Sequence, residues 1–364
     1  MPRVPDFRHE ELIPRRPHRT APTHASVRCI FVNHRSGPGS GAGLGVTVRA
    51  TAKVLDRAGI HTNVWNSGSA EQLNTQIEKD QYAAARPITH IVINTFNIIL
   101  PKQLQQLAED WPDIRFVQLN HTGLAYMCID DNGPQRIRKV LDLQMSMPNI
   151  TVAGNNPRFG WFGLYGIQPV ILPNLYDVES FVMPVAHRRD HDPMRIGTFG
   201  ENRPWKNFAD AAQAALSIAK SLGVQLELYV NTDRWQQTWG YTRARAELFA
   251  GLTWAKIIQV PWQDWMSFRH IVSTVDLCIN PSFDETFCSV VADAIAVGVP
   301  CVTSGCIEWS PPSWQAPQTF APASVAATGM ALLHSQGAAV HDGRQALISY
   351  VDVGTAAWIK FLTA

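Results

Sequence analysis

Short apolar runs alternate with amphipathic segments along most of the chain. Runs of about four to eight apolar residues are typical of buried strands, and apolar positions repeating roughly every three to four residues predict helices. Amphipathic stretches such as VTVRATAKVLDRAG separate the runs of the first half, which read VRCIFVN, HTNVW, ITHIVINTF, DIRFVQLN, NITVAGN and QPVILPN. Strands that alternate with helices in this way predict a parallel sheet covered by helices on both faces.

The alternation is interrupted at residues 182–194, where VMPVAHRRDHDPM brings in charge, proline and histidine. It then resumes through RIGTFG, FADAAQAALSIAKSLG, VQLELYVN, AKIIQVP, FRHIVSTV, DLCINPS and VPCVTS. We therefore expect an α/β protein with two tandem Rossmann-like domains facing a cleft, at residues 27–181 and 195–341, joined by a linker at 182–194. Ligands of such sheets bind beyond the carboxyl ends of the strands.

The two ends of the chain differ from this pattern. Residues 1–26 are rich in proline, arginine and histidine and have no periodicity, which predicts a flexible basic arm. Over the first 35 residues seven arginines oppose three acids, so contact with a polyanion is one possible role for the arm. Residues 342–364 have a helical pattern, and we expect this helix to pack back on the first domain.

Composition narrows the classes of protein further. With 364 residues, 46% of them apolar, the chain is long enough for two ordinary domains. Its formal net charge of +1 does not favour nucleic acid or an anionic membrane as an obligatory partner. The six cysteines include no C-x-x-C pair, and no apolar run reaches the roughly 18 residues of a membrane span. We expect a soluble cytoplasmic protein with free thiols.

A glycine-rich loop follows the first strand. Glycine permits close approach of the backbone to a ligand, and the start of the next helix offers unpaired N–H groups to an anion. No Gly-Lys-Ser/Thr follows, so this is not a Walker A loop. The second strand ends in VWN, without the acid that a dinucleotide-binding fold uses for ribose. Two interpretations of this loop are therefore possible, a phosphate-binding loop or a merely flexible one. Its glycines are at positions 37, 39, 41, 43 and 45.

The segment GTFGENRPWKNF places two cations after the first strand of the second domain. Pro204 suits the first position of a helix, which puts Arg203 at its cap and Lys206 in its first turn. Cations there oppose the helix dipole, and a bound diphosphate would compensate. Two solvated surface cations are the alternative.

Two carboxylates lie in the apolar segment near residue 290. We expect a helix from about Glu285 to Val297, ended by Gly298 and Pro300. Eight residues would then separate Glu285 from Asp293, about 12 Å along the helix axis. This is close to the span from a sugar to a ribose across a diphosphate, so each carboxylate would bind hydroxyls at one end of a donor.

Four segments together resemble a known family. DLCINPSFDETFCSVVADAIAVGVPCVTS resembles the signature of retaining GT-B glycosyltransferases, especially family four. GAGLGVTVRATAKVLDRAG is similar to their N-terminal glycine loop and helix, VILPNLYDVESF to the segment closing their first domain, and GENRPWKN to their phosphate clamp. The similarities occur in the family's order from about residue 28 to 305.

The resemblance implies a role for particular residues toward a nucleotide-diphosphate sugar. Arg203 and Lys206 would hold the diphosphate, Glu285 the sugar and Asp293 the ribose, and Gly43 stands at the donor-facing glycine. Asp293 replaces the glutamate usual in the family, so its ribose contact is the least secure.

His121, in QLNHTGLAY, matches the histidine that the family places near the transferred sugar, and a capping or satisfied loop histidine is the alternative. The family further implies transfer with retention, no metal and no cofactor besides the donor. Like Asp293, Ala42 departs from the family's pattern, because the family's loop often has a glycine at this position.

Several other functions stay open at this stage. A sugar-phosphate epimerase of the same shape would need acid/base groups at the centre of the cleft, and a non-catalytic binding module would need none. For a transferase the acceptor could be a glycan, lipid, small molecule, protein or hydroxymethylated base of DNA. A metal site at His187 and His191 is disfavoured, because two arginines lie between them in the linker.

Overall fold

The structure is a computed structural model of the chain. It describes residues 26–34, 42–94, 99–121, 123, 132–168, 170–181, 193–201, 203–231 and 246–364. The basic arm apart from residue 26, the linker up to residue 192, and the glycines at 37, 39 and 41 lie outside the described residues.

The first domain is a six-stranded parallel sheet with the order β2-β1-β3-β4-β5-β6. Its strands are β1 (Arg28–His34), β2 (His61–Ser67), β3 (His90–Ile93), β4 (Arg115–Asn120), β5 (Ile150–Gly154) and β6 (Val170–Ile171). Its helices are α1 (Ala42–Arg57), α2 (Ala70–Ala83), α3 (Pro101–Asp110) and α4 (Gly133–Ser146), followed by a 3-10 segment at Pro157–Tyr165.

The second domain is a five-stranded parallel sheet with the order β11-β10-β7-β8-β9. Its strands are β7 (Met194–Thr198), β8 (Leu226–Asn231), β9 (Ala255–Val260), β10 (Leu277–Ile279) and β11 (Cys301–Val302). Its helices are α5 (Phe208–Leu222), α6 (Trp265–Ser273), α7 (Ser289–Ala296) and α8 (Pro322–His334), and short 3-10 turns lie at Pro204–Lys206 and Pro312–Trp314. The predicted pair of Rossmann-like domains is confirmed.

Strand β1 shows why the apolar runs fold into a covered sheet. Its side chains alternate between two separate cores, with Ile30 and Val32 in one and Cys29 and Phe31 in the other. Both faces of the strand are therefore buried, as expected for a parallel sheet with helices on each side.

The last helix, α9 (Gln336–Leu362), contacts both domains. At its start, a Cβ on Gly343 would lie 2.6 Å from the Trp314 ring, so this glycine allows close packing on the second domain. Near its end, the Trp358 ring lies 5.5 Å from that of Phe31, and Trp358 Nε1 donates to the carbonyl of Pro173 at 2.7 Å. No helix in the described ranges is long and apolar enough to cross a membrane.

Candidate active site

The order of the strands indicates where each sheet can bind a ligand. In the second sheet β7 and β10 are neighbours although they are not consecutive in the chain. From β7 the chain proceeds to β8 on one side, and β10 and β11 lie on the other. Loops leaving the carboxyl ends of such strands separate and open a crevice. Arg203 and Lys206 follow β7, and Glu285 follows β10, so three of the predicted site residues lie at this crevice.

The loop after β7 is shaped by two residues with positive φ. Gly200 has a φ of 117°, and its N–H donates to Asn231 Oδ1 at 2.9 Å. Asn207 has a φ of 56° and separates the 3-10 turn Pro204–Lys206 from α5. The predicted α-helix starting at Pro204 is thus a single turn, because the left-handed Asn207 cannot continue a right-handed helix. Arg203 caps this turn.

Lys206 and Glu285 form a buried ion pair. Lys206 Nζ contacts Glu285 Oε1, which also accepts a hydrogen bond from Ser282 Oγ at 3.0 Å. Their side chains are only 12% and 11% exposed. Burial works against the charged ammonium, but the neighbouring Glu285 outweighs it and raises the pKa of Lys206. Lys206 therefore stays charged beside a carboxylate at the crevice.

Arg203 also lies beside a carboxylate and an aromatic ring. Its Nη2 contacts Glu201 Oε2, and its guanidinium carbon lies 5.6 Å from the centre of the Trp205 ring. The pair with Glu201 and the contact with the ring both hold the guanidinium against its own loop.

Glu285 lies in a loop, and the predicted helix from about Glu285 to Val297 is wrong at its start. The helix α7 begins at Ser289, after Cys288, whose φ of 64° interrupts the helical conformation. The preceding loop is held by Phe283, whose N–H donates to the carbonyl of Trp205 at 2.7 Å. The expected separation of Glu285 and Asp293 by eight residues of one helix therefore does not apply.

Asp293 lies inside the second domain, in contact with residues other than Lys206 and Glu285. Its side chain is buried, with 3% of the residue exposed. Asp293 Oδ1 accepts hydrogen bonds from Tyr176 Oη at 2.7 Å and Trp265 Nε1 at 2.8 Å. Burial raises the pKa of Asp293 to about 6, although both hydrogen bonds favour the ionised form. The ribose contact expected for Asp293 stays a prediction.

His121 follows β4 and lies between two asparagines of the first domain. Its Nε2 is 3.2 Å from Asn94 Oδ1, and its Nδ1 is 3.3 Å from Asn155 Nδ2. Burial of the ring lowers the pKa of His121 to about 3. The carbonyl of His121 accepts a hydrogen bond from Thr286 Oγ1 of the second domain at 3.2 Å. His121 is thereby joined to the residue directly after Glu285.

The two domains meet around the loop that carries Glu285. Asn156 Nδ2 donates to the carbonyls of Glu285 at 3.4 Å and Thr286 at 3.2 Å. A Cβ on Gly123 would lie 2.2 Å from Asp284 Oδ2, so a larger residue here would fit only if the Asp284 side chain or its loop moved. These contacts fix the Glu285 loop against the strand ends of the first sheet.

Gly43 lies in the first turn of α1, at the carboxyl end of β1. The structure brings Lys206 together with Glu285 and joins His121 to the same loop through Thr286. The donor-facing role expected of Gly43 stays a prediction.

Sequence reasoning missed the asparagines and the partners of Asp293. Asparagine stands at or just after the end of many strands, at Asn33, Asn94, Asn120, Asn155, Asn231 and Asn280. The sequence contains this pattern in the repeated strand endings IFVN, VIN, QLN, YVN and CIN. Tyr176 and Trp265 had no local signal, because a separate segment brings each of them to Asp293.

Metal-ligating side chains do not cluster in the described part of the chain. Within it, no group of three or more histidine, cysteine, aspartate or glutamate side chains has the arrangement of a metal site. His187 and His191 lie outside the described residues.

Comparison with known proteins shows similarity in structure. A scan against protein-family models found no match, and a search of curated proteins found none either. Sucrose-phosphate synthase from Thermosynechococcus elongatus is similar with a TM-score of 0.64 and 16% identity, covering 92% of this chain and 98% of its own. HepE from Anabaena, in complex with UDP and glucose, has a TM-score of 0.61 and 13% identity, covering 93% and 99%.

The trehalose-6-phosphate synthase OtsA has a TM-score of 0.64 and 11% identity, covering 92% of this chain and 99% of its own. These solved structures are GT-B glycosyltransferases. Because each likeness extends over nearly the whole of both chains, the protein has the GT-B fold.

Proposed function

We propose that the protein is a retaining glycosyltransferase that moves a sugar from a nucleotide-diphosphate sugar to a hydroxyl group. The observation that carries the proposal is the buried Lys206–Glu285 pair at the crevice of the second sheet, in a loop bonded to His121 of the first domain. A cation and a carboxylate thus lie side by side in a loop that also contacts the first domain. The structure of HepE with UDP and glucose makes UDP-glucose the first donor to test.

Lys206 and Arg203 would bind the diphosphate. Both lie on the loop after β7, and the raised pKa of Lys206 keeps it cationic. Transfer of the sugar leaves negative charge on the phosphate, and fixed cations in a poorly hydrated site stabilise that charge strongly. The proposal assigns this task to the two side chains without a metal and without a cofactor.

Glu285 would bind hydroxyls of the donor sugar. Its carboxylate already accepts from Lys206 and from Ser282 Oγ, which shows that it can accept two donors at once. A phosphate that draws Lys206 away would leave this acceptor for a sugar hydroxyl. Glu285 would then matter most in the transition state, where charge develops on the sugar.

Retention would follow from reaction on one face of the donor. The glycosidic bond to the leaving phosphate breaks, the acceptor oxygen bonds to the same face of the sugar carbon, and a leaving phosphate oxygen accepts the acceptor proton. Electrons and protons balance without a protein nucleophile. The acceptor belongs to the proposal only as a hydroxyl compound, whether a glycan, lipid, small molecule, protein or hydroxymethylated DNA base.

The test is a donor screen on the full chain. UDP-glucose, UDP-N-acetylglucosamine and GDP-mannose would be compared by thermal shift, and release of nucleotide without acceptor would be followed by chromatography. We expect one donor to stabilise the protein and to be hydrolysed slowly, and expect Lys206→Ala and Arg203→Ala to reduce both effects. Lys220→Ala is the matched control, because Lys220 is exposed in the last turn of α5.

The outcomes separate the candidate functions. Binding without any hydrolysis or transfer would favour a binding module. If Lys206→Ala and Arg203→Ala both behave like the wild type, the diphosphate site is misassigned. If a donor is consumed, NMR of the product's anomeric proton decides between retention and inversion.

A further inference from the structure

The hydrogen bonds around His121 determine which ring nitrogen carries its proton. Asn94 is almost completely buried at the end of β3. Its Nδ2 donates to the carbonyls of Val32 at 3.2 Å and Val92 at 3.3 Å. An amide nitrogen can only donate, so these two carbonyls fix the orientation of the Asn94 amide. Asn94 Oδ1 must then face His121 as an acceptor.

The acceptor on Asn94 requires a proton on Nε2 of His121. The two atoms are 3.2 Å apart, and two acceptors at that distance would repel each other. A neutral imidazole with its proton on Nε2 has a lone pair on Nδ1. Asn155 must therefore present its Nδ2 to Nδ1, which lies 3.3 Å away.

The environment of the Asn155 amide supports the same assignment. Asn155 is fully buried, and its Oδ1 has no hydrogen-bond partner among the described residues. A buried acceptor without a partner is destabilising, so Oδ1 does not decide the orientation of the amide, and the contact with His121 Nδ1 does. The orientation is explained if the lone pair on His121 Nδ1 demands a donor.

We propose that Asn94 and Asn155 are positioning residues that hold His121 as the neutral tautomer with its proton on Nε2. His121 is then an uncharged ring in a fixed orientation that neither shuttles a proton nor supplies a cation. The part of the inference that concerns donor sugar rests on the proposed function. The tautomer itself rests only on the geometry of the three side chains.

The described hydrogen-bond partners of His121 are uncharged. Asn94 and Asn155 face its ring from the ends of β3 and β5, and Thr286 bonds to its carbonyl from the second domain. On the loop that carries Thr286, Glu285 is paired with Lys206, and Asp284 lies against Gly123 and 3.8 Å from Arg158 Nη1. Burial is the cause of the lowered pKa of His121.

NMR of the wild-type chain labelled with 15N-histidine tests the assignment without any substitution. His121→Gln removes one of the twelve histidine signals and so identifies it. We expect the shifts of a ring protonated on Nε2 and no titration between about pH 5 and about pH 8. A ring protonated on Nδ1, or a titration within that range, would overturn the proposal.

Asn155→Asp tests the positioning role with almost no change in shape. A carboxylate beside Nδ1 accepts a hydrogen bond from a protonated Nδ1. We therefore expect protonation of Nδ1 and a rise in the pKa of His121 by about 1 to 3. The pH dependence of kcat/KM for the donor should gain a matching ionisation. Asn63→Asp is the control, because Asn63 lies on β2, away from the proposed site, and its Oδ1 already accepts hydrogen bonds from the Arg28 guanidinium.

An unchanged His121 spectrum in a folded Asn155→Asp variant would refute the positioning role. A protein that binds no nucleotide sugar, yet shows the expected tautomer, would refute only the proposed function. The two failures are thus distinguishable.

Discussion

Lys206 Nζ contacts Glu285 Oε1 where the loops after β7 and β10 meet. A residue assigned to the donor phosphate thereby binds the residue assigned to the donor sugar. A diphosphate that approaches Lys206 has to share or replace the Glu285 carboxylate. Under the proposed function, binding of the nucleotide and release of the Glu285 carboxylate would therefore be coupled.

Glu285→Gln should separate nucleotide binding from turnover. Loss of the carboxylate leaves Lys206 available to phosphate, so we expect UDP to bind as well as or up to about tenfold more tightly, a change of about 1.4 kcal/mol. Turnover should fall, because the proposed contact of Glu285 with the sugar is lost where charge develops. Calorimetry with UDP and steady-state kinetics measure the two effects.

Glu227→Gln is the matched control for this experiment. Glu227 forms ion pairs with Lys256 and Arg195 near the amino end of β8. The proposed site lies at the other, carboxyl end of the strands. Its substitution should leave UDP affinity unchanged. A loss of UDP affinity in Glu285→Gln that matches its loss of turnover would place Glu285 at the nucleotide end.

The same pair makes a prediction for stability. Lys206→Met leaves Glu285 buried without its cation, which typically costs about 3 to 5 kcal/mol. Adding Glu285→Gln removes the uncompensated charge, so the double variant should recover most of the lost stability without recovering UDP binding. Thermal unfolding of the four proteins of this cycle measures the coupling. Strictly additive changes in melting temperature would show that the two side chains do not interact.

Asp293 should make the protein less stable as pH rises from about 4 to about 6. Burial raises the pKa of this carboxyl to about 6 from an ordinary value of 3.8. The folded protein thus keeps a proton that the unfolded chain has lost, and this advantage disappears once pH exceeds the folded pKa. Above that pH the cost of the buried charge is on the order of 3 kcal/mol.

Asp293→Asn removes this ionisation and tests the sign. Relative to wild type, its melting temperature should rise between about pH 4 and about pH 7, while Asp142→Asn, at an exposed position of α4, should show no such trend. A constant difference across that range would mean that Asp293 does not titrate there. Measuring UDP affinity on the same variant also tests the predicted ribose contact.

The sequence predicted both sheets, because runs such as VRCIFVN place alternate side chains in two separate cores. It also predicted the segments carrying Lys206 and Glu285. It did not predict that Glu285 precedes α7, because the left-handed conformation of Cys288 depends on contacts made after folding. Nor did it predict the burial of Asp293, since Tyr176 and Trp265 are distant in sequence. Local pattern thus located the loops, and tertiary contacts determined which way each side chain points.

Gly123→Ala should reduce activity by disturbing the contact between the domains. A Cβ at this position would lie 2.2 to 2.6 Å from the carboxylate atoms of Asp284, closer than real contacts allow. Either Asp284 or the whole loop that carries Glu285 must then move, and a misplacement of about 1 Å is enough to lower a rate by about a hundredfold. Donor hydrolysis and melting temperature are the measurements.

Asp284→Ala provides the decisive background for this substitution. With the carboxylate removed, Gly123→Ala should have room, so the double variant should be more active than Gly123→Ala alone. Gly163→Ala is the matched glycine control, because a Cβ there meets nothing within 4 Å. If Gly123→Ala keeps full activity, or if Asp284→Ala fails to restore it, the position of the Glu285 loop does not depend on this close approach.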